Sequence, residues 1–192
     1  MKIQELLNES ELTEVTRPDQ RTAEDILEKA GYQKLGHGLY ANVWWRKDKS
    51  YVLKLVSSDD RAYARYVRMC MSNPNPHFPK FRGSFMRVND NYNAIRMEKL
   101  SPVVRTRDMY DMVSVLESYI WHSAKLLSWP ANLERDIQAM YVLEQTQPGI
   151  TEACDLIATL PKVNMDMHLG NIMMRGKTIV ITDPVTGYER TR

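Results

Sequence analysis

The stretch Asn164-Met165-Asp166-Met167-His168-Leu169-Gly170-Asn171-Ile172-Met173-Met174, followed by Ile179-Val180-Ile181-Thr182-Asp183-Pro184, constrains this chain more than any other. Asp166 leads Asn171 by five residues. Two apolar runs, Ile172–Met174 and Ile179–Ile181, flank Arg175-Gly176-Lys177, a spacing that predicts a tight hairpin. Asp183 stands just beyond it. A loop followed by a hairpin can return the chain so that Asp166, Asn171 and Asp183 meet. Two oxygen-bearing side chains beside a third carboxylate suit Mg²⁺, which favours carboxylate, phosphate and water oxygens. The remaining carboxylate can orient a hydroxyl and accept its proton. Plain turn chemistry is the competing explanation, since Asp, Asn and His are common in loops.

Upstream, strand-like runs are separated by turn signals. Tyr32–Leu35 leads into Gly36-His37-Gly38-Leu39-Tyr40-Ala41-Asn42-Val43. Val43-Trp44-Trp45 meets the turn 46–50, and Tyr51-Val52-Leu53-Lys54-Leu55-Val56 follows. Period-two geometry puts Val52, Lys54 and Val56 on one face. A lysine among apolar neighbours needs an anionic partner or a path to water. Edge protection is the ordinary explanation for a strand lysine, but here a glycine-bearing loop precedes it. Phe81–Val88 and Tyr92–Met97 read as two more strands, joined by Asn89-Asp90-Asn91.

Helical spacing appears in six places. Residues 1–20 allow a short amphipathic helix through Ile3, Leu6, Leu7 and Leu12. Thr22 can cap a helix with Ile26, Leu27 and Ala30 inward and Gly31 at its end. Asp59 to Met71 predicts a helix with Ala62, Tyr66, Met69 and Cys70 inside. From Asp108, the positions Met109, Met112, Val113, Leu116, Ile120 and Leu127 follow helical steps to Trp129-Pro130. Leu133, Ile137, Met140 and Tyr141 predict the next helix, and Ile150, Ala153, Cys154 and Ile157 a further one, stopped by Pro161.

A formal net charge of +2 predicts no dominant field for nucleic acid or a membrane. Cys70 and Cys154 lack metal-ligand spacing and read as reduced core thiols. No apolar run approaches a membrane span, and Glu5 and Glu9 interrupt any secretory core. The expectation is a cytoplasmic protein with no nucleic-acid or membrane partner.

The series Asp166, four residues, Asn171, then Asp183-Pro184-Val185 resembles the catalytic and metal-binding loops of the protein-kinase-like superfamily. Protein kinases there read H-R-D-x-x-x-x-N and D-F-G. The form Asp-x-His-x-x-Asn is more similar to aminoglycoside, choline and other atypical kinases. Gly36, Gly38, Val43 and Lys54 match the glycine loop and lysine strand, with Ala41 where the third glycine stands. A helix glutamate, the usual partner of that lysine, has no counterpart, since no Glu occurs from Lys54 to Ile95. Met97-Glu98-Lys99-Leu100 resembles the kinase hinge. The opening Met1–Ser10 resembles the capsid-targeting peptides of large tailed phages, which implies a phage protein acting in host cytoplasm.

The resemblance covers about Gly31 to Asp183 and implies an α+β, two-lobed protein-kinase-like fold. It implies an antiparallel N-lobe sheet and a short, mostly helical C-lobe with its lower part truncated. The domains would be an N-terminal helical extension (1–30), an N-lobe (31–100) and an abbreviated C-lobe (101–192). The implied activity is ATP- and Mg²⁺-dependent phosphoryl transfer to a hydroxyl, a protein Ser/Thr ahead of a small molecule. Asp166 and Lys54 would be catalytic. Gly36, Gly38, Val43, Val52, Lys54, Glu98 and Leu100 would bind nucleotide, and Asn171 and Asp183 the metal. The partners would be nucleotide and a protein substrate. A pseudokinase-type module that binds nucleotide or a partner without transfer, or an AMP transferase on the same fold, are the alternatives. His168 would shape the loop or contact substrate, with a buried, hydrogen-bonded role favoured.

Overall fold

Alternating apolar residues on both sides of Lys54 build the centre of a five-stranded antiparallel sheet. The computed structural model describes residues 23–37, 41–89, 91–124 and 133–187. The expectations placed on residues 1–20, Thr22, Gly38, Asp90, Leu127 and Trp129-Pro130 lie outside these. The sheet comprises β1 (Gln33–His37), β2 (Ala41–Trp45), β3 (Tyr51–Ser57), β4 (Phe81–Arg87) and β5 (Tyr92–Glu98), in the order β1-β2-β3-β5-β4. The helices are α1 (Ala23–Lys29), α2 (Arg61–Ser72), α3 (Arg107–Ser123), α4 (Leu133–Thr146) and α5 (Ile150–Ala158), numbered in chain order. Short strands β6 (Ser101–Pro102), β7 (Asn164–Met165) and β10 (Val185–Thr186) frame the hairpin β8 (Ile172–Arg175) and β9 (Thr178–Ile181). This is the α+β order expected: strands first, helices next, an acid-bearing hairpin last.

The chain divides into two compact units, residues 1–60 with 80–99, and residues 61–79 with 100–192. In the first, one sheet face forms the core. Trp44, Leu53, Leu55, Met86 and Ala94 pack with Leu27 of α1 and with Tyr32. The other face alternates out of phase and carries Val43, Trp45, Val52, Lys54, Val56, Ile95 and Met97, since Val43 and Ile95 both pair with Lys54. Gly36 belongs to β1 and pairs with Val43.

In the second unit, α3 starts at Thr106, whose hydroxyl accepts the Met109 N–H at 3.4 Å. Val113, Leu116 and Ile120 form its buried side. Helix α4 forms over the expected positions. Ile137 is 47% and Tyr141 63% exposed, whereas Asp136 and Met140 are buried. Ser118 of α3 donates to Asp136 Oδ2 at 2.6 Å, and this hydrogen bond turns the Asp136 side of α4 inward. Helix α5 buries Ile150, Ala153, Cys154 and Ile157, as its spacing predicted. Cys70 and Cys154 are free and buried, and burial pushes the Cys70 thiol up to about 12.

Two buried or bridging polar groups knit this unit together. His77, 1% exposed, sets Nδ1 2.7 Å from the Ile179 carbonyl and Nε2 3.1 Å from that of Pro148. Its own carbonyl accepts the Ile181 N–H at 2.9 Å. Helix α5 has no side-chain cap at Gly149. Glu144 supplies one from α4, accepting the N–H groups of Gly149 at 2.6 Å and Thr151 at 2.9 Å.

Replacing His77 by Leu leaves a buried carbonyl without its donor. We expect a loss of about 1–3 kcal/mol, read as a lower urea midpoint at unchanged slope. The Gly149 and Thr151 N–H groups hold the Glu144 carboxyl below its ordinary value of 4.5. A folded value below the unfolded one gives stability that is complete above the ordinary value and lost as pH falls through the folded value. Glu144→Gln should therefore cost about 1 kcal/mol at pH 7. The variant should approach the wild type in acid, compared by urea unfolding at the two pH values.

Candidate active site

The short ladder of β7 with β10 pairs Met165 with Val185 and Asn164 with Thr186. At its end the Asp166 N–H donates to the Pro184 carbonyl at 2.8 Å. Asp166, just after β7, and Asp183, two residues before β10, are thereby held at the same end of this ladder. Asn171 enters from the 3₁₀ turn Leu169–Asn171. Its Nδ2 donates to the Asp166 carbonyl at 2.6 Å. A carbonyl can only accept, which fixes the amide orientation and leaves Asn171 Oδ1 as an oxygen donor to a ligand. The structure brings Asp166, Asn171 and Asp183 together in one unit.

Thr182 completes this arrangement, and the sequence reading gave it no role. Its N–H and Oγ1 both donate to the Asn171 carbonyl, at 2.8 and 2.9 Å. Thr182 is 7% exposed. A hydroxyl between the apolar Ile181 and the acid Asp183 was the available signal: a buried hydroxyl needs a partner.

His168 departs from the buried role. Its side chain is 57% exposed, and that of Asp166 is 50% exposed. His168 Nδ1 accepts the Gly170 N–H at 3.1 Å. In the neutral ring the proton then sits on Nε2, 4.0 Å from Asp166 Oδ1. A Cβ on residue 170 would lie 2.9 Å from His168 Cε1, so any other residue there would displace the ring. The histidine shapes the loop from its solvent side.

Mg²⁺ fits these donors. The ion is usually held by one or two protein carboxylates together with phosphate and water oxygens. Asn171 Oδ1 and the Asp183 carboxylate offer two oxygens. Among the described residues no group of three or more His, Cys, Asp or Glu side chains could hold a metal by itself. The protein oxygens therefore suit an ion whose shell is completed by phosphate.

The nucleotide candidates lie mainly in the first unit. Lys54 is 5% exposed on β3, between Val43 of β2 and Ile95 of β5. Val52 is buried two residues away, and Val43 is half-buried. Gly36 lies in β1. Glu98 ends β5, and its N–H donates to the Lys80 carbonyl at 2.9 Å while Oε1 accepts the Lys80 N–H at 2.7 Å. The Glu98 N–H, one of the backbone groups the resemblance offered to an adenine edge, is thus committed to Lys80. Leu100, half-buried, connects β5 to β6 in the second unit. Helix α2 carries no acid at all, so it holds no counterpart of the kinase glutamate.

No family model and no curated protein matches the sequence. No helix of the described residues is long and apolar enough to cross a membrane. The chain is similar to the Cydia pomonella granulovirus kinase PK-1, at 17% identity and a TM-score of 0.37, over 84% of this chain and 56% of that one. It therefore spans little more than half of the viral kinase. It is similar to APH(2″)-IIa, solved as a ternary complex with streptomycin and ATP, at 13% identity and a TM-score of 0.35, over 94% and 74% of the two chains. It is similar to the ADP-bound aminoglycoside phosphotransferase APH(2″)-Ib at 10% identity and a TM-score of 0.36, over 94% and 73%.

Proposed function

We propose that this chain is an ATP- and Mg²⁺-dependent phosphotransferase acting on a hydroxyl, with a protein Ser/Thr ahead of a small molecule as acceptor. The observation that carries the reading is the convergence of Asp166, Asn171 and Asp183 through the Asp166–Pro184 and Asn171–Asp166 hydrogen bonds. Asp166 is half exposed and can meet an acceptor hydroxyl, orient it and take its proton. Asn171 and Asp183 would hold Mg²⁺, which neutralises charge on the nucleotide phosphates. Lys54 would steady the α- and β-phosphates, and Gly36, Gly38, Val43 and Val52 would line the nucleotide. The carbonyl of Glu98 and the backbone of Leu100 would meet the adenine edge. Such a site works mainly by positioning and charge neutralisation, because the transition state of phosphoryl transfer is loose. The kinase-like division would run through 31–100 and 101–192, and the capsid-peptide resemblance would place the protein in a phage-infected cytoplasm.

A second reading, a nucleotide- or partner-binding module without transfer, is favoured by one observation: α2 has no acidic residue. Transfer of AMP on the same fold is the third. Incubation with γ-labelled and, in parallel, α-labelled ATP, Mg²⁺ and host lysate separates them. Label from the γ-position alone supports phosphoryl transfer, label from the α-position supports AMP transfer, and binding without either supports the module.

Asp183→Ala should abolish Mg²⁺-dependent nucleotide binding, measured by titration of a fluorescent ATP analogue. Asp166→Asn should leave that binding intact and lower transfer by about 10²–10⁴-fold, the usual worth of a general base. Transfer at the wild-type rate by Asp166→Asn removes Asp166 from the mechanism. Lys54→Met should weaken nucleotide binding with the sheet still folded, read by the same titration and by circular dichroism.

A further inference from the structure

Helix α2 lacks the acid that the kinase resemblance would give it, but it is not a passive packing element. One of its faces grips the two chain segments that carry Asp166 and Asp183. Tyr66 is fully buried, and its hydroxyl donates to the Ile181 carbonyl, two residues before Asp183. Its ring packs edge-on against Phe78, with centroids 6.1 Å apart. Burial raises the phenol far above its ordinary range, so the hydroxyl remains a donor. Arg65, the preceding residue, reaches the other segment. Its Nη1 donates to the carbonyls of Lys162 at 3.0 Å and Pro161 at 3.3 Å.

Lys162 has φ of 53°, a left-handed conformation that a residue with a Cβ adopts only when its surroundings impose it. The chain passes from this turn directly into β7 and Asp166. A third contact comes from Ala62. A Cβ on Gly187, just past β10, would lie 2.8 Å from the Ala62 Cβ, so that strand exit runs against the first turn of α2. Residues 62, 65 and 66 share one helix face, at the i, i+3, i+4 spacing. That face touches the entry to β7, the exit of β9 and the exit of β10. These are the three chain positions that decide where Asp166 and Asp183 stand.

We propose that Arg65 and Tyr66 are positioning residues: Tyr66 sets the strand that presents Asp183, and Arg65 sets the turn that presents Asp166. Neither touches substrate. Loss of the Tyr66 hydroxyl lets the Ile181–Asp183 segment shift and weakens the metal side of the site. Loss of the Arg65 guanidinium relaxes the Lys162 turn and weakens the acceptor side. The functional consequence rests on the phosphotransferase reading, but the mechanical part does not.

The test compares Tyr66→Phe, Arg65→Met and Arg65→Lys with the wild-type chain. Phenylalanine keeps the ring, and lysine keeps a donor. Tyr66→Phe should raise the Mg²⁺ concentration needed for half-saturated binding of a fluorescent ATP analogue by about tenfold. Arg65→Met should leave that requirement alone and lower turnover at saturating ATP by about tenfold, with Arg65→Lys recovering most of it. Amide hydrogen exchange should quicken at 181–186 in the first variant and at 162–166 in the second, with 92–98 unchanged. Local exchange changes without any shift in Mg²⁺ requirement or turnover reduce α2 to a structural brace and overturn the proposal. So does exchange that rises everywhere, or exchange that stays at wild-type rates. If the wild type neither binds nor hydrolyses ATP, the phosphotransferase reading fails, and the exchange pattern alone decides whether α2 holds the two segments.

Discussion

The hydrogen bond from Asn171 Nδ2 to the Asp166 carbonyl is the constraint on which the acidic cluster depends. It closes a six-residue loop on itself. It also fixes the amide so that its oxygen is the atom not used in this bond. The Asn171 carbonyl is in turn held by both donors of Thr182. One residue thus ties the loop that bears Asp166 to the strand exit that bears Asp183. Asp166 adds the reciprocal link by donating its N–H to Pro184. Four hydrogen bonds, each accepted by a backbone carbonyl, therefore hold the segments that carry Asp166, Asn171 and Asp183.

Around that centre, the second unit is stiffened by polar groups more than by apolar bulk alone. His77 meets two carbonyls, one of them on β9, and Arg175 holds the carbonyls of Pro76 at 2.7 Å and Phe78 at 2.8 Å. The hairpin β8–β9 is thereby fastened to the segment after α2, and α2 itself is fastened to the strand exits. The first unit follows a different logic. Its core lies on the Trp44 face of the sheet, while Lys54 occupies the opposite face among Val52, Val56 and Ile95.

Legibility from sequence varied with how local the cause was. The hairpin at 172–181 was plain because its turn and both apolar runs lie within ten residues. The buried side of α5 was plain because all four apolar positions obey one period. The four apolar positions of α4 showed a helix but not its inward side, which carries Asp136, bonded to Ser118. The bond from the Glu98 N–H to the Lys80 carbonyl joins residues 18 apart and has no sequence signature. Thr182 and Arg65 escaped notice because their partners are carbonyls, which no residue-type pattern reveals.

What the sequence by itself determined is the inventory and its order: a strand lysine, an Asp-x-His-x-x-Asn loop, a hairpin and a terminal Asp. These follow from periodicity and turn chemistry, which act over a few residues. Only the tertiary structure decided which polar groups lock that inventory in place. The β7–β10 ladder, the double acceptance by the Asn171 carbonyl, and the grip of α2 on Ile181 and Lys162 join residues 11 to 115 positions apart. Hydrogen bonds between a side chain and a distant backbone carbonyl depend on geometry that packing sets, and sequence spacing carries no trace of it.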